Sequence, residues 1–114
     1  MRAVVQRVTR ARVTVDEQPV GECGAGLLLL VGAHRDDSDG DARKLAERVI
    51  GLRIFSDAEG KMNLSLGDAF SDDECHVLAI SNFTVYGDTS KSRRPSFTES
   101  APYDEGKRLF DTFV

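Results

Sequence analysis

His76-Val77-Leu78-Ala79-Ile80-Ser81-Asn82-Phe83-Thr84-Val85-Tyr86 begins as an apolar run and ends among small hydroxyl and amide side chains. Val, Leu and Ile in succession read as a strand with buried surface, and Ser81, Asn82 and Thr84 offer hydrogen-bonding groups at its exit. A strand period of two puts Ala79, Ser81, Phe83 and Val85 on one face and Leu78, Ile80, Asn82 and Thr84 on the other. Ser81 and Thr84 therefore come together only where the strand bends or stops near Asn82. On these residues alone two readings stay open: a core strand with ordinary polar residues at its end, or a binding site built at that end.

Outward from this stretch, the other strongly apolar run is Gly26-Leu27-Leu28-Leu29-Leu30-Val31-Gly32. It is short for a buried helix and bounded by glycines, so it reads as a strand covered on both faces, near the middle of a sheet. Toward the N-terminus, Ala3 to Val8 and Val13 to Val15 read as two short strands able to form a hairpin. Asp16-Glu17-Gln18-Pro19 reads as a turn before an extended Val20-Gly21-Glu22. Arg7 lies within the first strand and either faces water or needs a buried partner.

Between the two apolar strands the period changes. Ala42, Leu45, Ala46, Val49 and Ile50 share one helical face from Asp41 to Ile50, with Ser38 or Asp39 as its cap and Gly51 as its end. Leu52 to Phe55 reads as a strand, Ser56 to Gly60 as a turn, and Lys61 to Leu64 as an antiparallel return. Gly67 to Glu74 is weakly patterned. Beyond Tyr86, the loop from Gly87 to Phe97 carries Lys91, Arg93 and Arg94 among hydroxyls, residue types that either bind phosphate oxygens or are simply solvated. Pro102 then precedes a helix with Gly106, Leu109, Phe110 and Phe113 on one stripe. The aromatic stripe is still running at Val114 with no capping glycine, which leads to the expectation that the chain is part of a longer product.

The 114 residues are enough for one domain with a real core, and 40% of them are hydrophobic. Nineteen acids against 15 Lys and Arg give a net charge of -4, which argues against a polybasic nucleic-acid binder and leaves room for a local basic face. The two cysteines, Cys23 and Cys75, have no metal-binding spacing and are expected as free thiols in a reducing interior rather than as a disulfide. Met1 to Arg7 lacks the continuous apolar region of a secretory leader, and the longest apolar run, Ala25 to Ala33, is far shorter than a bilayer span, so a soluble intracellular protein is expected. His34 with Asp36 and Asp37, and His76 with Cys75, lack the spacing of a metal site, so no metal is expected. Adjacent strand residues face opposite ways, which separates the Cys75 thiol from the His76 ring. Ser81 has no nucleophile elbow. The residues favour binding and polarisation by hydroxyls and backbone N–H groups over covalent catalysis.

Met1-Arg2-Ala3-Val4-Val5-Gln6-Arg7-Val8, Phe55-Ser56-Asp57-Ala58-Glu59-Gly60-Lys61-Met62-Asn63, Ser81-Asn82-Phe83-Thr84 and Arg94-Pro95-Ser96-Phe97 together resemble the D-aminoacyl-tRNA deacylase family. The resemblance runs the length of the chain and its four motifs fall in the family's order. It implies an α/β protein of the α+β type, a mixed or antiparallel sheet or barrel-like β-layer packed with two helices, with residues 1–114 as a single domain. It also implies a cytoplasmic homodimer, without cofactor or membrane attachment, that hydrolyses the ester between a D-amino acid, or glycine on mischarged tRNA, and the 3′-terminal adenosine.

The family's Ser-Gln-Phe-Thr motif falls on Ser81, Asn82, Phe83 and Thr84, so the resemblance gives Phe83, Thr84 and Ser81 the catalytic roles and Asn82 a place against the substrate. Asn82 is one methylene shorter than the family's glutamine. Arg7 falls on an arginine held to support the chiral-selection element, and Lys61 and Met62 on a loop near the pocket, while Lys91, Arg93 and Arg94 are expected along the tRNA backbone. In this family a ribose hydroxyl of the tRNA is held to take part in the chemistry. The family's Asn-x-Gly-Pro-x-Thr motif, whose glycine and cis-proline the resemblance implies present carbonyls across the dimer interface and exclude L-amino acids, is missing, since no Gly-Pro occurs in the 114 residues. Chiral proofreading in the family's usual form is therefore expected of a longer product and not of these 114 residues alone. Two other classes fit the same chain: a non-catalytic tRNA-binding relative, and a homodimeric interaction domain.

Overall fold

The computed structural model describes residues 1–71 and 76–114. Seven strands and three helices follow in the order β1 (Arg2–Val8), β2 (Ala11–Val15), β3 (Gln18–Cys23), β4 (Gly26–Gly32), α1 (Asp39–Gly51), β5 (Phe55–Ser56), β6 (Met62–Leu64), α2 (Leu66–Ala69), β7 (His76–Ser81) and α3 (Tyr103–Phe113), with a 3-10 turn at Phe83–Tyr86. This is the expected mixture of sheet and helix. Strand β4 is the middle of a three-stranded sheet ordered β1-β4-β7. Leu27, Leu29 and Val31, on one face of the strand, are all but inaccessible, whereas Leu28 and Leu30 on the other are half-buried, so the covering of both faces expected from the leucine run is complete on one side only.

Strand β1 has β4 as its neighbour, not β2 as the hairpin reading expected; β2 pairs with β3. The β2–β3 connection is tighter than the four-residue turn expected from composition, because Val15 faces Gln18 and only Asp16 and Glu17 lie between. Both have positive φ, 50° and 67°, the conformation whose twist matches a two-residue hairpin. Pro19, which cannot donate to the ladder, sits opposite Thr14 where the register slips by one residue, a bulge that removes the demand for its N–H.

The chain divides into two compact units. The first comprises Met1–Val4, Leu30–Glu47 and Ala79–Val114. Its buried side chains are Val31, Ala42, Tyr86, Leu109 and Phe113. Ser38 caps α1: its carbonyl accepts from the N–H groups of Asp41 and Ala42, while the Asp41 carboxylate accepts from the Ser38 N–H (2.9 Å) and hydroxyl (3.1 Å). Those two donors hold the Asp41 carboxyl below the usual carboxylate range. On α3, Leu109 and Phe113 form the core stripe that the helical spacing predicts. Arg108 pairs with Asp39 and Glu105.

The second unit comprises Val5–Leu29 and Arg48–Leu78, with Leu27, Leu29, Val49, Phe55 and Leu66 buried. Strands β5 and β6 pair antiparallel, Phe55 facing Leu64 and Ser56 facing Met62, so of the strand expected over 52–55 only Phe55 is extended in the ladder, and Ser56, expected in the turn, joins it. Asp57 closes their turn, its carboxylate accepting from the N–H groups of Glu59 (2.9 Å) and Lys61 (3.1 Å). Phe70 meets the Phe55 ring edge-on at 5.2 Å. Two local expectations change: Ile50 is 59% exposed rather than on the buried face, and a short helix, α2, occupies part of the stretch read as unpatterned. Cys23 is a free, half-buried thiol; Cys75, and with it both the thiol-pair and the Cys75–His76 readings, lies outside the described residues. No helix among the described residues is long and apolar enough to cross a membrane.

Candidate active site

Strand β7 stops at Ser81, and the next residue explains why. The Asn82 N–H still donates to the carbonyl of Val31 (2.8 Å), as a sheet residue would, but its side chain turns the chain. Asn82 Oδ1 accepts from both the N–H of Thr84 (3.0 Å) and the Thr84 hydroxyl (2.5 Å), so Asn82 caps a single 3-10 turn, Phe83–Tyr86. The stop near Asn82 that the period-two argument required is therefore present. Its effect is to separate roles: Ser81 and Phe83 open outward, while Asn82 and Thr84 are engaged in the turn.

Ser100, Arg2, His34 and Phe97, from other parts of the first unit, brace that turn. Ser100 donates its hydroxyl to the carbonyl of Phe83 (3.0 Å). Arg2 donates to the carbonyl of Val85 (3.2 Å), and its guanidinium carbon lies 4.4 Å from the centroid of the Tyr86 ring. Tyr86 is buried and meets His34 edge-on at 5.5 Å. Burial pushes the Tyr86 phenol above its ordinary value, with Asp37 adding to the shift and Arg2 opposing it. The Phe83 ring is 59% exposed and meets Phe97 edge-on at 5.0 Å.

Ser81 and Phe83 line a cavity of about 450 Å³, a volume within the range of small-ligand pockets. Its floor is Val31, Gly32 and Ala33 at the end of β4, and its far wall is Ala101 with Tyr103, Gly106, Lys107, Phe110 and Asp111 of α3. A Cβ on Gly32 would come within 3.1 Å of the Asn82 carbonyl oxygen and the Val85 Cβ, so glycine lets the 3-10 turn lie close against β4. The lining combines the hydroxyls of Ser81 and Tyr103, one ammonium, one carboxylate and three aromatic rings. Such a set binds an extended, partly planar, partly charged ligand.

The remaining sequence-derived residues fall into two groups. Lys91, Arg93 and Arg94 are all exposed on a loop of the first unit that is closed by paired backbone bonds between Asp88 and Ser96 (2.8 Å each), and none makes an ion pair among the described residues. Arg7, Lys61 and Met62 belong to the second unit, and all three are exposed. A second hollow, of about 380 Å³, is lined there by Thr9, Arg10, Glu22, Cys23, Gly24 and His76, whose Nδ1 accepts from the Gly24 N–H (2.9 Å). Among the described residues no cluster of three or more His, Cys, Asp or Glu is placed to hold a metal ion.

Sequence reasoning passed over Ser100, Arg2, Tyr103, Lys107 and Asp111. The last two follow Tyr103 at successive steps of four, a helical spacing visible in the sequence, but they lie on the polar side of α3, which periodicity assigns to solvent.

Comparison with known proteins agrees with this chain along nearly its whole length. The family model described as D-Tyr-tRNA(Tyr) deacylase matches residues 4–114. A D-aminoacyl-tRNA deacylase of Thermotoga petrophila is 53% identical over 114 residues, covering all of this chain and 74% of that protein. Among solved structures, a c-Myc DNA unwinding element binding protein superposes with a TM-score of 0.88 at 31% identity, over 99% of this chain and 73% of the other. A probable eukaryotic D-amino acid tRNA deacylase shares the fold, with a TM-score of 0.75 at 20% identity over 97% of this chain and 63% of its own. With the family model spanning residues 4–114 and a relative identical at 53% of positions, the chain belongs to the D-Tyr-tRNA(Tyr) deacylase family.

Proposed function

We propose that the cavity beside the Phe83–Tyr86 turn is where this chain carries out its family's reaction, the hydrolysis of a D-aminoacyl ester of tRNA that serves chiral proofreading in translation. Family membership makes the chain an ester hydrolase acting on D-aminoacyl-tRNA. The observation that carries the placement is the opening of Ser81 and Phe83, two residues of the motif, onto one cavity of ligand size. In the reaction water adds to the ester carbonyl, the bond from the acyl carbon to O3′ breaks, and the products are the free amino acid and a tRNA with a 3′-hydroxyl.

In this reading the backbone N–H of Phe83 faces the charge that develops on the carbonyl oxygen, and the Ser81 and Thr84 hydroxyls position the adenosine and the ester. Asn82 holds the turn that presents them. Arg7, Lys61 and Met62 contribute to substrate binding, with Arg7 supporting chiral selection, and Lys91, Arg93 and Arg94 follow the tRNA backbone. The 2′-hydroxyl beside the ester supplies the proton relay that no His or Cys of the cavity lining provides. Residues 1–114 belong to a single deacylase domain of a cytoplasmic homodimer, with glycyl-tRNA as a second substrate.

The test is turnover of matched D-, L- and glycyl-tRNA esters together with a D-aminoacyl-tRNA ending in 2′-deoxyadenosine. Hydrolysis of the D and glycyl esters, and none of the L or the 2′-deoxy substrate, is expected. Undiminished turnover of the 2′-deoxy ester would reject the ribose-assisted route, and equal turnover of D and L esters would reject chiral selection.

A further inference from the structure

We propose that Tyr103 and Lys107, one turn apart on α3, hold the terminal nucleotide of the substrate, the base stacking on the Tyr103 ring and the phosphate pairing with the Lys107 ammonium. The proposal rests on the hydrolase reading and adds to it the residues that bind the nucleotide.

Three observations carry it. Tyr103 is 82% exposed at the mouth of the cavity, and Phe83, 59% exposed, borders the same space. Two large aromatic rings left open to water around one cavity are what a planar base covers, because every base has a π-face on which such rings stack. A helix rises about 6 Å over four residues, so Lys107 lies one turn further along the same wall.

The charge on Lys107 is also available. The neighbouring Arg108 takes up the carboxylates of Glu105 and Asp39, whereas Lys107 makes no ion pair among the described residues. Asp111, a further turn on, puts a negative charge at the other end of the stripe, which directs a phosphate toward Lys107 and away from the end where Asp111 lies.

The third observation is Gly106, which faces the cavity between Tyr103 and Phe110. Glycine inside a helix is less favourable than alanine, so a packing reason is normally sought. Among the described residues none exists at this position: an added Cβ would meet only the Cβ of Ala101, at an ordinary 3.9 Å. What glycine provides is open space along the wall between the two groups that would hold the nucleotide.

The experiment measures dissociation constants of adenosine and of adenosine 5′-monophosphate, together with kcat/KM on D-aminoacyl-tRNA, for the full chain and its Tyr103→Ala, Tyr103→Phe, Lys107→Ala and Lys107→Arg variants. Both positions of change carry exposed side chains, and melting curves check that the fold is kept. Tyr103→Ala should weaken both ligands about 10-fold or more, with Tyr103→Phe restoring them. Lys107→Ala should weaken the monophosphate to the level of adenosine while leaving adenosine unchanged, and Lys107→Arg should restore the difference.

Binding of both ligands by Tyr103→Ala within two-fold of the wild type overturns the proposal, as does an equal loss of adenosine and monophosphate in Lys107→Ala. A wild-type chain that hydrolyses D-aminoacyl-tRNA but binds neither ligand overturns it too, and leaves the hydrolase reading standing. Tyr103-dependent binding of the monophosphate without ester hydrolysis does the reverse.

Discussion

The Ser100 hydroxyl donates to the carbonyl oxygen of Phe83 at 3.0 Å, across 17 residues of sequence. That bond fixes the peptide that follows Phe83 from outside the turn, while Asn82 fixes the turn from within. Ser100→Ala removes one exposed hydrogen bond and no core volume, so its effect on stability should be small, on the order of 1 kcal/mol or less. Its effect on turnover should be larger, because a carbonyl free to rotate takes the neighbouring Phe83 N–H out of alignment. A fall in kcat of about 5- to 10-fold with KM nearly unchanged is expected, and Ser100→Thr should recover most of it. Steady-state kinetics on D-aminoacyl-tRNA beside a melting curve reads both quantities.

Asn82 carries two acceptor contacts through one oxygen, to the N–H and to the hydroxyl of Thr84. Asn82→Ala leaves both donors without that partner and should lower stability by about 1 kcal/mol, the usual cost of a lost cap. Asn82→Asp keeps an acceptor at the same reach and should preserve both fold and activity. Urea midpoints for the three proteins decide the matter; an alanine variant as stable as the wild type would show that the turn does not depend on its cap.

Gly26 marks a place where the backbone of β4 leaves no room. A Cβ there would fall 1.9 Å from the carbonyl oxygen of His76 and 2.8 Å from its carbonyl carbon, and φ is +152°. Neither atom belongs to a flexible side chain, so the strands would have to part. Gly26→Ala is expected to abolish soluble expression or to cost several kcal/mol. Gly67→Ala is the control, since no atom of the described residues lies within 4 Å of its added Cβ, and in helix α2 it should be neutral or slightly stabilising. Thermal melts of the pair test whether close approach, and not glycine content, is the cause.

How far these features could be read from sequence depended on whether the signal was local. The leucine run of β4 declares its place in the middle of a sheet because it is apolar at both parities, and the glycines at its ends mark its limits; that the face of Leu28 and Leu30 stays half-open while the face of Leu27, Leu29 and Val31 is sealed is decided by packing. The core stripe of α3 is equally plain at Leu109 and Phe113. The partner of β1 is not, since pairing with β4 is decided by burial across a long separation rather than by the turn at Thr9 to Arg12. Ile50 shows another limit: Val49 and Ile50 are adjacent and equally apolar, and only packing decides that the first is buried at 4% while the second stays exposed. Helix α2 left one trace, Ser65 three residues before Asp68, whose carboxylate accepts from the Ser65 hydroxyl at 2.9 Å. Of the cavity lining, Ser81 and Phe83 stand out in the sequence as residues of the motif, and the opposite wall does not. Tyr103 and Lys107 sit on the hydrophilic side of an amphipathic helix, and periodicity cannot distinguish a wall that faces a cavity from one that faces bulk water.

The exposed cations Lys91, Arg93 and Arg94 give a prediction in salt rather than in affinity alone. Each lysine or arginine that meets a phosphate displaces counterions, and the slope of log K against log salt falls by about 0.7 to 0.9 for each contact removed. Replacing all three with glutamate should weaken tRNA binding at low salt and flatten that slope. A small ester substrate without tRNA should be turned over as before. Titrations at several salt concentrations check this, and an unchanged slope would assign the loop to solvent.

Asp57 makes the chain sensitive to acid in a way that one substitution isolates. The backbone N–H of Lys61, then that of Glu59 and the Asn63 side chain, donate to its carboxylate and hold its pKa below the ordinary 3.8. A carboxyl whose folded pKa is depressed stays ionised in the native state where the unfolded chain already takes up a proton. Its contribution to stability is therefore present above the unfolded value and is lost as pH falls from there through the folded one. Urea midpoints of the wild type should drop on going below about pH 4. Asp57→Asn should begin lower at neutral pH, because an amide oxygen accepts those bonds more weakly than a carboxylate, and then decline less over the same acid range. Asp41, Asp88 and Glu105 are shifted the same way and still titrate in the variant, so the quantity to plot is the difference between the two proteins against pH. That difference should narrow steadily below about pH 4; a gap that stays constant down to the acid limit would mean that the turn at Asp57 holds the same whether its carboxyl is charged or neutral.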